Sequence, residues 1–373
     1  MTQQRIALFM PWCLVKQAVT VGPMVLIPFH NQGPQTLCTP AESEVLHALL
    51  APYQTPYGSL LPGWTVVRRV DKAIIDTYTD VELDEVFEFA EIVKFSALCA
   101  RDLTDLDDPH YVASDALTVY AIGIGPTMSS IAVSTRRANT RVLTGVDTNG
   151  LHFVCPLHVY GSQTPSFDMP VATALVGLRG SSSWSDIFSA IVSFNLANTD
   201  GDGMHEQIEG TLLAGVVDRL FPDEIKGGTK RYVQAAQAFS TAFPERSSGW
   251  VQLDGIAYRE LDSKTRPIFT WMREFYSLRN EFAHGKRKSD RPQSCLLWSV
   301  PEHLLLAKLL LPVAFRARFV SAAQHSEIDR DLLTLADDLV SLKHLFRLDA
   351  ADGSPLRALV GNHRLRAHLS EMT

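Results

Sequence analysis

Cysteine is scarce in this chain: there are 5 among 373 residues. Cys13, Cys38, Cys99, Cys155 and Cys295 include no short pair. An odd number without paired spacing argues against a disulfide framework and suits a reducing cytoplasm. Metal-ligand spacing is nearly missing as well. Cys155-Pro-Leu-His158, with His152 nearby, has no second pair to complete the four ligands that zinc requires, so no metal or cofactor is expected. The apolar stretch Ile6–Val15 is too short to span a bilayer, contains Pro11 and is followed by Lys16. It reads as neither a membrane span nor a signal peptide, and the expectation is a soluble cytoplasmic protein. Positive charge in excess is absent too, the formal net charge being −7. A globally acidic chain is not a generic nucleic-acid binder, so any RNA has to meet a local basic groove.

The charge is unevenly placed. Residues 1–170 carry 10 Lys+Arg against 17 Asp+Glu, and 24 of each remain for the rest. By length the chain holds two domains. Residues 1–170 read as mixed strand and helix. Strand density appears at Val21–Phe29, interrupted by Pro23, and at Ala116–Gly125, Ser129–Ser134, Thr140–Val146 and Leu151–Val159. Arg136-Arg137-Ala138-Asn139 reads as a hairpin tip, basic but most simply a solvated turn. Val81–Leu98 has helical spacing of Leu83, Val86, Phe87, Ala90, Val93 and Leu98, with acids opposite. A Gly/Ser/Pro-rich shift from Gly161 to Ser183 marks the boundary. Helices are expected after it: Trp184–Ala197, Met204–Phe221, Lys230–Phe243, Arg266–His284, Pro301–Ala322, Glu327–Leu345 and one from Pro355. The fold class is therefore α+β, a mixed front domain followed by an all-α bundle over 171–373.

One stretch carries chemistry. Arg279-Asn280-Glu281-Phe282-Ala283-His284-Gly285 puts a permanent cation, an amide and an imidazole at the end of one helix. Arg279 can fork two N–H groups onto a phosphate, and histidine, at 284, is the side-chain type whose unperturbed pKa suits proton transfer near neutrality. Asn280 and His284 are four apart and share a helix face, so the amide can fix the ring. Arg279 projects about 100° around the helix from Asn280. Beyond Gly285, Lys286, Arg287, Lys288 and Arg291 form a basic run along which a polyanion could continue. The same His-Gly ending also suits an ordinary helix C-terminus, and the basic run also suits a solvated face.

Three further patterns are weaker. Arg318 to His325 and Arg357 to His363 repeat the Arg-to-His spacing, but the first lacks the polar residue after Arg and the second contains Gly361. Asn198-Thr-Asp200-Gly-Asp202-Gly203, with Glu209 at the twelfth position, outlines a calcium loop. Asn198 replaces the first Asp and His205 stands where an aliphatic residue belongs, so the stretch reads as a turn between two helices.

Arg279-Asn280-x-x-x-His284-Gly285, late in a helical domain, resembles the HEPN superfamily, over roughly residues 175–325. It is most similar to the HEPN modules of bacterial anti-phage, abortive-infection ribonucleases, in which a domain of different character precedes the helical one. The resemblance implies a homodimer that brings two motifs together and cuts RNA, tRNA included, through attack of its own 2′-OH. It makes Arg279 the phosphate clamp, His284 the proton-transfer group and Asn280 the orienting residue. It also implies a sensor or regulatory front domain, and a phage-derived trigger or an antitoxin as partner. Branches modified on a Tyr two residues after the His are not matched, because Lys286 sits there. From the residues alone, a non-cleaving module that holds RNA, a nucleotide or a protein partner, and a purely structural role, stay open beside the nuclease.

Overall fold

The computed structural model describes residues 5–32, 38–100, 113–124, 130–135, 138–144, 153–155, 164–199, 204–221, 232, 235, 267–284, 298 and 300–320. Among these residues the chain is α+β, a largely antiparallel sheet with seven α-helices. It divides into two compact units. The described residues up to Gly177, with Thr199, make the first; Leu178–Asn198 and those from Met204 onward make the second.

The first unit is organised by β1 (Arg5–Met10), which stands in the middle of an eight-stranded sheet. β2 (Val19–Val21), β3 (Met24–His30), β5 (Gly63–Arg69), β1, β7 (Tyr120–Ile124), β8 (Ser130–Thr135) and β9 (Ala138–Thr144) follow one another across it. One edge of β1 is shared: Leu8–Met10 pair with β5, and Arg5–Ala7 pair with β6 (Ile75–Thr77). The other edge pairs with β7. Ala7 and Phe9 belong to a core cluster with Phe29, Trp64 and Leu46, whereas Leu8 and Met10 are equally buried but stand outside it. Alternation along a strand sends these two pairs to opposite faces, so β1 is covered on both sides. That explains its sequence: a strand buried on both faces reads as a continuous apolar run.

Two helices of this unit begin on capping boxes. α1 (Pro40–Leu50) starts at Thr39, whose hydroxyl accepts from the Glu42 N–H while the Glu42 carboxylate accepts from the Thr39 N–H. α2 (Asp80–Cys99) repeats the device with Thr79 and Glu82. Each pair satisfies two N–H groups that a helix start otherwise leaves unpaired. Gly22, between β2 and β3, has φ +57, and a Cβ there would lie 2.4 Å from the Phe89 ring of α2. Only glycine meets both the left-handed backbone and that close approach. The stretch expected as one strand over 116–125 divides instead. Ser114–Leu117 forms a 3-10 turn whose Ala116 and Leu117 are fully buried, and extended pairing starts at Tyr120. Its apolar residues therefore report packing rather than a ladder. Of Leu151–Val159, Phe153–Val154 forms β10, paired in parallel with β4 (Tyr53–Gln54), and ends at the buried Cys155; residues 151–152 and 156–159 lie outside those described.

Thr65 shows how the core tolerates a polar group. Its side chain is fully buried; the hydroxyl donates to the Cys13 carbonyl at 2.9 Å and accepts from the Val15 N–H at 3.0 Å. Thr65→Val keeps the shape and strands both backbone groups. The expected cost is about 1–3 kcal/mol, read as a lowered urea midpoint at unchanged slope.

The second unit contains α4 (Trp184–Ala197), α5 (Glu206–Leu220), α6 (Pro267–His284) and α7 (Val300–Phe319), with α3 (Met169–Leu178) leading up to it. α5 is the hub, packing against α4, α6 and α7. Tyr232 and Ala235 are helical and fully buried; the rest of the helix expected over 230–243, and those expected over 327–345 and from 355, lie outside the described residues. α7 is mostly apolar and buried from Val300 to Arg316 on nearly every face, Glu302, His303 and Arg316 included. Among the described residues no helix is long and apolar enough to cross a membrane.

Candidate functional site

α6 positions the motif. Trp271, Met272, Phe275 and Leu278 are buried, with Phe275 and Leu278 fully so, and they form the stripe by which the helix docks. Phe275 stacks on Trp271 at 5.2 Å between ring centroids and lies 6.3 Å from Tyr232. The Tyr232 hydroxyl donates to the Ala214 carbonyl of α5 at 2.9 Å. Near the end of α6, the Phe282 ring presses on Gly210 of α5, where a Cβ would stand 2.8 Å from a ring carbon. Glycine therefore lets α5 and the motif end of α6 approach closely. Beside that contact the Glu209 carboxylate of α5 and the Lys308 ammonium of α7 pair at 2.8 Å, both largely buried.

Arg279 and Asn280 flank the buried stripe and are half-buried. Arg279 Nη1 donates to Asn280 Oδ1 at 3.1 Å, and Nη2 lies 3.9 Å from Asp218 Oδ2 on α5. The guanidinium is thus steadied by an amide on its own helix and a carboxylate on the next. His284 is the last residue of α6, one turn beyond Asn280. Gly285, Lys286, Arg287, Lys288 and Arg291 lie outside the described residues.

Beneath the motif lies a buried acid-base pair that sequence reasoning missed. His303 of α7 is fully enclosed by the rings of Trp271, Phe275 and Trp298, with its Nε2 3.5 Å from a Glu274 carboxylate oxygen of α6. Burial pushes the imidazole below its ordinary pKa, against the opposing pull of Glu274 and Glu302. The folded state therefore favours a neutral His303. An unfolded chain takes up that proton near pH 6.5, so this residue removes stability as pH falls below that value. The slope contributed by this one proton is at most about 1.4 kcal/mol per pH unit. Thermal melts of wild type and His303→Phe between pH 5 and 8 are expected to differ by this slope, the wild type being the more acid-sensitive.

The other patterns resolve as scaffold where they are described. Asn198 ends α4 and donates from its side chain to the Phe194 carbonyl at 2.8 Å, while Glu209 is engaged by Lys308. These are the first and twelfth positions of the calcium-like loop; positions 200–203 lie outside the described residues. Arg318 lies over the Phe221 and Phe319 rings at 5.2 and 5.4 Å; His325 and the Arg357–His363 stretch fall outside. Cys155 is buried in the core of the first unit, and His152, His158, Arg136 and Arg137 are not among the described residues. Cys13 is buried and its thiol pushed up to about 12 by desolvation, which makes it an inert packing residue. Among the described residues no group of three or more His, Cys, Asp or Glu side chains could hold a metal ion.

No signal in the sequence near Arg279 announces Asp218, 61 positions earlier; the pair exists because α5 and α6 pack together. No family model matches the chain, and no curated protein or solved structure is significantly similar to it.

Proposed function

We propose that the chain is a metal-independent endoribonuclease that acts as a homodimer, with Arg279, Asn280 and His284 as its reactive groups. The observation that carries this reading is the guanidinium held by Asn280 and Asp218 on a docked helix whose final residue is an imidazole. Two such helix ends, facing each other across a two-fold cleft, supply what transesterification needs. One imidazole removes the 2′-OH proton, the oxygen attacks phosphorus, and the 5′-oxygen leaves with a proton from the second imidazole. Arg279 stabilises the charge that grows on the non-bridging oxygens. Asn280 gives its oxygen to Arg279, so its NH2 is the half that can orient His284. The products carry 2′,3′-cyclic phosphate and 5′-OH ends.

On this reading the helical unit is HEPN-like. Lys286, Arg287, Lys288 and Arg291 extend the contact along the RNA backbone, tRNA being one candidate substrate. The first unit acts as sensor or regulator in a cytoplasmic anti-phage or toxin system, answering to a phage-derived trigger or an antitoxin. Expression of wild type beside Arg279→Ala and His284→Ala in bacteria tests the reading. Growth arrest with RNA fragments in the wild type alone supports it. Equal fragmentation by His284→Ala, or loss of cleavage in EDTA, overturns it.

A further inference from the structure

Arg279 does not face solvent unopposed. Its Nη2 points toward Asp218 Oδ2 at 3.9 Å, and the two side chains keep 32% and 25% of their surface exposed. A carboxylate and a phosphate compete for the same guanidinium fork. At this distance and exposure the ion pair is loose, screened by solvent and weak enough to exchange. Asp218 also cannot drift far from the guanidinium. α5 is held to α6 by the Gly210–Phe282 approach and through Tyr232, whose hydroxyl donates to Ala214 and whose ring lies against Phe275 and Tyr276, while the Glu209–Lys308 pair ties its first turn to α7.

We propose that Asp218 is an electrostatic gate on the Arg279 phosphate site, occupying the guanidinium until an RNA phosphodiester displaces it. This rests on the phosphate-clamp reading of Arg279 above. A lone phosphate competes poorly with a carboxylate fixed beside the cation. An RNA strand presents a run of phosphates to the one guanidinium at high effective concentration, so it displaces the acid where a mononucleotide does not. Asp218 is then a specificity-determining residue: it costs affinity for every anion and leaves useful binding only to a polyanion. Displacing it costs the bound substrate and the transition state alike, because Arg279 has to be freed before either forms. Its removal should therefore lower KM while leaving kcat unchanged or reduced, because binding strengthened equally in both states does not raise kcat.

The test uses the full chain and a fluorescent single-stranded RNA whose 2′ positions are methylated, so that it binds without being cut. Anisotropy titrations of wild type, Asp218→Asn, Arg279→Ala and the double variant are compared at about 50 and 200 mM salt, a range over which phosphate contacts weaken strongly. Asp218→Asn is expected to tighten binding about ten-fold at the lower salt, and less at the higher. The gain should vanish when Arg279 is also alanine, and Asp218→Glu should restore wild-type affinity. Unchanged or weaker RNA binding by Asp218→Asn, in a protein that melts like wild type, overturns the gate. Should the asparagine variant melt early, Asp218→Ser provides the same comparison. If Arg279→Ala binds RNA as tightly as wild type, the clamp itself fails and the gate falls with it, an outcome distinct from an inert Asp218 beside an essential Arg279.

Discussion

If the chain is the ribonuclease proposed, His284→Ala is expected to lower the rate constant for RNA cleavage by about 10²–10⁴-fold, the worth of one positioned proton-transfer group, while RNA binding falls little. On the same reading Arg279→Ala should lose a comparable factor and also weaken binding, because a guanidinium that clamps the phosphate in the ground state gains more as phosphorane charge develops. The distinction is measurable in single-turnover cleavage of a labelled RNA at saturating enzyme, with affinity taken separately from an uncleavable analogue. The imidazole variant is expected to shift the plateau rate alone; the guanidinium variant is expected to shift both the plateau and the half-saturation point. Arg279→Lys should recover part of the binding and little of the rate, since an ammonium is a point charge that cannot grip two oxygens in a fixed fork. The double variant should be scarcely slower than the worse single one, because groups acting on one transition state are not additive. Cleavage by His284→Ala at the wild-type rate would leave Arg279 and Asn280 as ordinary residues of a helix end.

Among its described residues the second unit was legible in the amino-acid order because its helices are long, mostly amphipathic and punctuated. α4 spans the expected 184–197, α6 begins one residue inside the expected 266–284, and α5 and α7 start within two residues of expectation. In the first unit the same held for α2, where acids stand opposite an apolar face, and for β8 and β9, which flank the basic dipeptide Arg136-Arg137. β1 and β5 were not legible as strands. Both are buried on two faces, so neither alternates, and Ile6–Val15 showed only that it was apolar. α1 was missed although Thr39-Pro40-Ala41-Glu42 is a complete capping signature, because a helix of three turns gives too few periods to stand out. The residues proposed as reactive stand out in the sequence, being local to one turn and a half of helix. Their partners do not. Asp218 and the His303–Glu274 pair depend on packing between helices separated by intervening chain, and local spacing carries no trace of such contacts.

Phe275→Ala is expected to cost about 3–5 kcal/mol, a large part of the roughly 5–15 kcal/mol by which a domain of ordinary size is stable. The ring is fully buried, parallel to Trp271, and within stacking range of Tyr232 and His303. Its removal opens a cavity that three rigid aromatic groups cannot close. The site suffers with it, since Phe275 sits one turn before Arg279 on the same helix. Loosening it unseats the surface on which Asp218 and the guanidinium meet. Phe275→Leu fills most of the volume and should restore a large part of the stability. The decisive measurement pairs urea unfolding with cleavage across temperature. If Phe275 acts only through the docking of α6, the alanine variant regains activity on cooling to the extent that it regains folded protein. Activity lost in a fully folded Phe275→Ala protein would mean instead that motif geometry is set to finer tolerance than overall folding. The motif would then depend on the exact seat of α6, which Phe275 shares with the buried His303 and Glu274 beneath it.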